Sequence, residues 1–484
     1  MTANSLRAPR ANRSAHIDRI LCIRRPLNTL LLPVLALLLL FFGTGCATTA
    51  QGLYRSVWEA TPRNIYDPST LHDWGSWEHR YDGKLATDED AKKAVGEMLS
   101  SVGDRYTYFM DTKAVAADKD NRDGIYTGVG IVLDFQIDAS GHGVRAGDGG
   151  LLPQTDSSGY PIVKQLINGS PARKSGLLAG DAIVSIDGKD TRRRGLAALV
   201  EQLRGQAGST VALTVLRDGR NWSLTVTRET VNAPAVSISK LPDGIGYLRL
   251  ESFGQTDEVA EFKAGLEALK DCRALIIDVR GNLGGLVYNA VGTASFFIKE
   301  GRVVTIRHRI PGGGYKTETI TLTGTNLVSQ VTSSDSTEVE RQTAERQPYL
   351  AAGRPVVILV NGSSASATEL FTGAVKDHRA ATVLGTRTYG KGIGQSNISM
   401  PNGTQLHVTS LHYFTPNGTW LGDGGNTRPI PHGIEPDVLV TPNQDLLFGG
   451  ANDNQLHQAI SILTSPPGRG STLPCFQTKA SLSG

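Results

Sequence analysis

The run VVILV, Val356–Val360, is apolar at five consecutive positions and passes straight into NGSSASATELFTGAVKD, Asn361–Asp377, where small and hydroxylated residues give way to apolar ones at helical spacing. A short strand without a polar side is buried on both faces, which requires helices above and below a largely parallel sheet. The same alternation recurs upstream. IGYLRL and ALIIDV have the composition of strands, and VAEFKAGLEAL and VYNAVGTASFFI the spacing of helices. Residues 231–448 are therefore expected to form an α/β core, followed at 449–484 by a C-terminal helix and tail.

The N-terminus has a different character. Met1–Arg25 contains six arginines, one acid and no lysine, and is followed by the apolar run Leu30–Gly45 and then Cys46. A basic segment, an apolar segment and small residues in that order make residues 1–46 a secretory signal. Cys46 after Gly43, Thr44 and Gly45 resembles the lipidated cysteine of a bacterial lipoprotein, although Gly43 stands where leucine is usual; Ala47 then resembles an outer-membrane sorting residue. The apolar run is short against the roughly 20 residues of a membrane-spanning helix. Loss of this segment removes six positive charges and one negative, taking the formal net charge from +3 to −2. A near-neutral remainder gives no reason to expect a nucleic-acid partner. Cys22 leaves with the signal, so only Cys272 and Cys475 remain for a disulfide, and Cys272 reads as core packing. No cysteine or histidine spacing suggests a zinc site.

Residues 47–112 are expected to be helical, since DEDAKKAVGEMLSSV from Asp88 has acids in its first turn and helical apolar spacing. Residues 113–230 are β-rich, with short strands broken at Gly, Asn and Asp. Two elements there resemble a PDZ domain: the loop Gly128-Val129-Gly130-Ile131, and Gly169-Ser170-Pro171-Ala172 followed by Gly180-Asp181. Such a module captures a peptide carboxylate on inward-turned backbone N–H groups, while a strand edge pairs with the peptide. Glycines beside a strand also occur in ordinary bulges. The stretch from Asp138 to Tyr160 reads as a surface loop, and Asn326–Gln347, polar and without clear periodicity, as an insertion.

Ser366 precedes Glu369 by three residues, the spacing of a capping box, so its plainest role is to cap the helix. A nucleophile is suited to the same strand-to-helix turn, where helix N–H groups stabilise an oxyanion. No histidine lies nearer than His378 and there is no G-x-S-x-G elbow, but Lys391 follows between Gly390 and Gly392, with Gln395 four residues on. A lysine becomes a base when burial lowers its pKa from about 10.4 towards 7–8.

VILVNGSSASATELFTGAVKD followed by GTRTYGKGIGQ resembles the signature of the C-terminal processing (tail-specific) proteases, VLVN-x-x-SASASE and then GKG-x-x-Q. The resemblance implies that Ser366 is the nucleophile, Lys391 its base, Gln395 the group orienting the lysine, and Asp377 a supporting acid. Asp104-Arg105-Tyr106-Thr107, YLRLESF from Tyr247, DVRGNLGG from Asp278 and GIEPD from Gly433 follow the family order, and Thr368 replaces a third serine. It also implies an oxyanion site made by the N–H of Ala367 and of Gly284 or Gly285, and a crotonase/ClpP-like α/β core with an inserted PDZ domain. Neither cofactor nor metal is implied. The expected partners are proteins with apolar C-terminal tails, with room for an adaptor lipoprotein, and the expected location is the periplasmic side of a cell envelope, lipid-anchored through Cys46. Two other readings are a β-lactamase-like enzyme and a PDZ lipoprotein that binds tails without cutting. The first rests on Ser237 and Lys240 in S-x-x-K spacing, which lack KTG and SDN companions and lie in strand-like alternation. The second leaves Ser366, Lys391 and Gln395 without a use.

Overall fold

A computed structural model describes residues 49–465 apart from 134–135, 137–151, 168, 233, 311–312, 352, 425–431 and 444–447. Cys46 and its preceding segment, most of the loop after Asp138, and Cys475 lie outside the described residues. The core sheet has six strands in the order Val236–Leu241, Ile245–Leu250, Ala274–Asp278, Val356–Val360, Thr382–Gly385 and Val438–Leu439. The first pair is antiparallel and the rest are parallel. Ser237 and Lys240 sit on its edge strand, which removes the basis of the β-lactamase-like reading.

Alternate residues serve opposite layers, as buried strands require. Leu248, Leu250, Leu275, Ile277, Ile358 and Val360 pack under helices Glu258–Ala268, Val287–Ala294 and Ala367–Asp377. Tyr247, Ile276, Val357 and Leu359 pack against helix Asn454–Thr464. Phe371 of the Ala367–Asp377 helix meets Phe253 and Phe297 with ring centroids 5.8 and 5.7 Å apart. Truncating such a buried ring costs about 3–5 kcal/mol, so this helix is held rigidly.

A second sheet of seven antiparallel strands centres on Gln405–Phe414, which pairs with Tyr108–Met110, Ile393–Ser399 and Gly301–Arg309. Beyond Gly301–Arg309 come Tyr315–Thr323, Asn326–Ser333 and Ser336–Glu345. The expected insertion at Asn326–Gln347 is thus a β-hairpin. Its last strand is exposed on both faces, so no alternation of apolar and polar residues marked it. The N-terminal helices Ala50–Asn64 and Asp88–Ser100 pack on Leu406 and Val408 of the central strand, the second helix starting at a Thr87–Asp90 capping box.

The PDZ unit enters and leaves through one antiparallel pair, Ile125–Gly128 with Glu229–Asn232, as expected for an inserted domain. Its core joins Val129, Val163, Leu177, Ile183, Leu199 and Val215. Buried Asp181 of the Gly-Asp element accepts from the Leu178 N–H at 2.8 Å and pairs with Arg217 at 2.6 Å. No described helix is long and apolar enough to cross a membrane.

Candidate active site

The three loops that close over the site leave the C-terminal ends of parallel strands, where open α/β sheets place their ligands. Every residue from Val356 to Val375 is buried except Ser366. Its neighbours' hydroxyls are occupied. Ser364 donates to the Val279 carbonyl at 2.8 Å and Thr368 to the Asn282 carbonyl at 3.0 Å, which pins the serine turn to the glycine loop. Ser366 itself adopts φ 59° and ψ −121°, a conformation that costs a residue other than glycine roughly 1–3 kcal/mol. The backbone carries the cap: the Glu369 N–H donates to the Ser366 carbonyl at 2.8 Å, and the Ser366 N–H to Glu369 Oε2 at 2.9 Å.

Glu369 does more than cap. Its Oε2 also accepts the Lys391 N–H at 2.8 Å, and Oε1 accepts from the Gly390 N–H at 2.7 Å and the Thr388 hydroxyl at 2.6 Å. Burial pushes this carboxyl up, and the four donors pull it back. One oxygen thereby holds the backbones of Ser366 and Lys391 together. The Lys391 amine donates to Gln395 Oε1 at 3.0 Å, whose Nε2 donates to Thr409 Oγ1 at 3.2 Å. The Tyr106 ring covers it, its centroid 4.3 Å from Nζ. Burial lowers the Lys391 pKa to about 8, against the opposing charges of Asp104 and Glu369 and with Arg105 assisting. Gly392 has to be glycine, because a Cβ there would lie 2.9 Å from the Leu421 nitrogen. Buried Tyr413 donates its hydroxyl to the Lys391 carbonyl and lies within hydrogen-bonding reach of the Ser366 side chain.

The glycine loop approaches from the other side. A Cβ on Gly284 would stand 2.8 Å from Ser366 Cβ and 2.9 Å from the Ala367 nitrogen. The Gly284 N–H donates to Asn282 Oδ1 at 2.9 Å, whereas those of Gly285 and Ala367 make no hydrogen bond among the described residues. Behind the loop, Arg280 is buried between Asp278 and Asp453, with contacts of 2.7–3.0 Å. Burial alone would raise Asp278, but Arg280 and Arg249 hold it well below the usual carboxylate range.

Asp377 corrects the sequence reading. It ends the helix that Ser366 begins, about 15 Å away at 1.5 Å per residue, and accepts the Asn417 N–H at 3.0 Å. The structure therefore does not bring it to Ser366 and Lys391, and the acid that touches both is Glu369. Sequence reasoning gave Glu369 a capping role alone and assigned none here to Tyr413; Asp104–Tyr106 carried only a family resemblance. A capping acid has two oxygens, and a second buried oxygen needing donors was the available signal.

In the PDZ unit, Val129 is buried and its carbonyl accepts the Ala172 N–H at 2.9 Å, while the Gly130 carbonyl accepts that of Ile167 at 3.1 Å. Gly130, at φ +76°, leaves no room for a side chain, since a Cβ would meet Ser170 Cβ at 2.4 Å. Gly128 abuts the Leu203 carbonyl at the end of helix Leu196–Leu203, and Ile131 begins a strand that pairs with Val163–Leu166. Among the described residues no cluster of three or more His, Cys, Asp or Glu could hold a metal ion.

Residues 244–440 match peptidase family S41, and residues 162–217 match the PDZ domain. The chain is 28% identical over 357 residues to a carboxy-terminal-processing protease of Bartonella bacilliformis, covering 72% of this chain and 69% of that one. It is also 28% identical over 370 residues to a protein of Staphylococcus aureus named "Probable CtpA-like serine protease", covering 76% of this chain and 63% of that one, slightly less than two thirds of its length. Among solved structures, a photosystem II D1 C-terminal processing protease is similar at 25% identity, covering 82% of this chain and 95% of that chain with a TM-score of 0.49. The chain thus carries a region that matches the S41 peptidases and, ahead of it, a region that matches the PDZ domain. The relatives it resembles over most of its length include a carboxy-terminal-processing protease.

Proposed function

We propose that the protein is an exported serine endopeptidase in which Ser366 and Lys391 form the catalytic dyad and the PDZ unit captures an apolar C-terminal tail. The observation that carries this reading is the Glu369 clip, which joins the one accessible residue of a buried strand–helix turn to a lysine whose pKa is lowered to about 8. Neutral Lys391 Nζ takes the Ser366 hydroxyl proton as Oγ bonds to the scissile carbonyl carbon, and the C=O electron pair moves onto oxygen. The N–H groups of Ala367 and Gly285 stabilise that oxyanion, Gly284 being engaged with Asn282. Collapse re-forms the carbonyl and breaks the C–N bond, and the leaving amine takes the proton from Lys391. Water then attacks the acyl-enzyme with Lys391 again as base. Gln395 orients the amine, and Val129, Gly130 and Ile131 present backbone N–H groups to the tail carboxylate. Export and lipidation at Cys46 place the enzyme on an envelope membrane.

The test is cleavage of a reporter protein with an apolar C-terminal tail, together with fluorophosphonate labelling, in wild type, Ser366→Ala and Lys391→Ala lacking residues 1–46. Tail-dependent cleavage and labelling are expected in the wild type alone. Undiminished cleavage by Lys391→Ala refutes the base, and tail binding without cleavage in the wild type supports a binding module instead.

A further inference from the structure

Ten large apolar or aromatic side chains are exposed among the described residues, and three fall within six positions: Leu283 at 58%, Leu286 at 39% and Tyr288 at 62%. They flank Gly284 and Gly285, the loop that approaches Ser366. Consecutive Cα atoms are about 3.8 Å apart, so Leu283 and Leu286 each stand one residue from the pair that faces the scissile carbonyl. Three exposed apolar or aromatic side chains in six residues are denser than the singly scattered ones of an ordinary surface, and such density marks a contact surface.

The patch is also held rigid. The Gly284 carbonyl accepts from the Phe253 N–H at 3.0 Å, the Leu286 N–H donates to the Phe253 carbonyl at 2.9 Å, and Asn282 Nδ2 donates to the Leu250 carbonyl at 3.1 Å. The Tyr288 phenol bonds both oxygens of Glu318, at 3.3 and 3.1 Å, and the Ser329 hydroxyl donates to the same carboxylate at 2.6 Å. Glu318 is buried. Its strand, Tyr315–Thr323, and the hairpin strand carrying Ser329 thus brace a tyrosine whose ring remains largely in water. From Gly281 to Thr293 the loop and helix contain no charged residue.

We infer that Leu283, Leu286 and Tyr288 form the subsite for the substrate side chains that flank the scissile bond, and that it selects apolar ones. The inference rests on the Ser366–Lys391 reading and extends it: the PDZ unit selects the tail, and this ledge selects where the chain is cut. A carbonyl held at the oxyanion site carries its own side chain past the ledge. An apolar side chain there loses water against Leu283 or Leu286, while a charged one is desolvated without a partner. The hairpin braces the ledge through Tyr288.

The experiment maps cut sites by mass spectrometry in an unfolded reporter protein with an apolar C-terminal tail, using the full mature chain and its Leu283→Asp, Leu286→Asp and Leu286→Ala variants. Fluorophosphonate labelling of Ser366 is measured in parallel, since that probe needs the dyad and oxyanion site but not the ledge. Cuts beside Val, Leu and Ala are expected in the wild type. The aspartate variants are expected to lose roughly 10- to 100-fold on those sites and to gain cuts beside Lys or Arg, with labelling retained. If they lose labelling, Leu286→Ala decides, with an expected drop of about tenfold at Leu relative to Ala sites. Unchanged cut sites with labelling intact overturn the subsite. Absent labelling in the wild type overturns the dyad reading, and the subsite with it.

Discussion

Replacing Tyr106 with alanine uncovers the Lys391 amine without touching a group that takes part in proton transfer. With a pKa of about 8, about one lysine in ten is neutral at pH 7, against about one in 2,500 at an unperturbed value near 10.4. The surroundings of the amine thus multiply the competent base by a few hundredfold at neutral pH. Two effects of the ring oppose each other. Its face attracts the ammonium form by about 0.5–2 kcal/mol, which raises the pKa, while its bulk excludes water, which lowers it. Burial is the largest influence on Lys391, so the shielding wins and Tyr106→Ala is expected to raise the apparent pKa by about one unit or more. Asp104, Arg105, Glu369, His407 and Tyr413 also surround this site and remain in place. The assay is kcat/KM on a quenched peptide with an apolar C-terminal tail from pH 6 to 11. Activity should fall about tenfold at pH 7 and return to within about threefold of wild type on the alkaline plateau. Tyr106→Phe keeps the ring and should titrate like the wild type. An unchanged or lowered pKa in Tyr106→Ala would refute the argument, because ring electrostatics would then outweigh exclusion of water.

Glu369→Gln leaves one acceptor oxygen for four donors and turns an amide N–H₂ towards the others; at about 1–3 kcal/mol per orphaned buried group, a marked fall in Tm and at least about a hundredfold loss of kcat are expected. Asp377→Ala removes one bond to Asn417, far from Ser366, so kcat should stay within about threefold of wild type; a larger loss would restore the supporting acid. Gly130→Val forces a side chain into Ser170, and peptide competition should then show loss of tail preference with Ser366 labelling intact. Undiminished preference would separate the loop from tail capture.

The core was legible wherever periodicity and burial agree. VVILV and ALIIDV are buried on both faces and carry no polar residue until Asp278, which the buried arginines Arg280 and Arg249 hold. Ser336–Glu345 was not legible as a strand, since a strand wet on both faces has no side to reserve for apolar residues, and its partner Asn326–Ser333 buries Val328 without a sustained alternation. Ser366, Lys391 and the glycine loop were each readable from their own motifs, and the structure brings the three segments together. Asp104–Tyr106 and Tyr413 reach Lys391 from distant segments through tertiary packing, for which sequence spacing carries no signal. The error at Asp377 follows from helix geometry: ten residues beyond Ala367 lie nearly three turns away, so a shared helix cannot bring that carboxylate back to its first turn.

The capping signature and the nucleophile signature at Ser366 compete for one hydroxyl, and the backbone of the turn differs from that of an ordinary capping serine. A serine that caps uses Oγ to satisfy a helix N–H and adopts extended backbone angles. Ser366 instead has φ 59°, a carbonyl that accepts the Glu369 N–H, and an N–H held by the Glu369 carboxylate. Backbone and Glu369 therefore supply cap bonds of their own, and the one accessible side chain of the segment lies within hydrogen-bonding reach of Tyr413. The strain of that turn, roughly 1–3 kcal/mol, is offset by the four hydrogen bonds to Glu369 that also fix Lys391. Removing the clip should therefore release strain and separate Ser366 from Lys391 in one step. For that reason the loss in kcat for Glu369→Gln should exceed what its change in Tm alone implies.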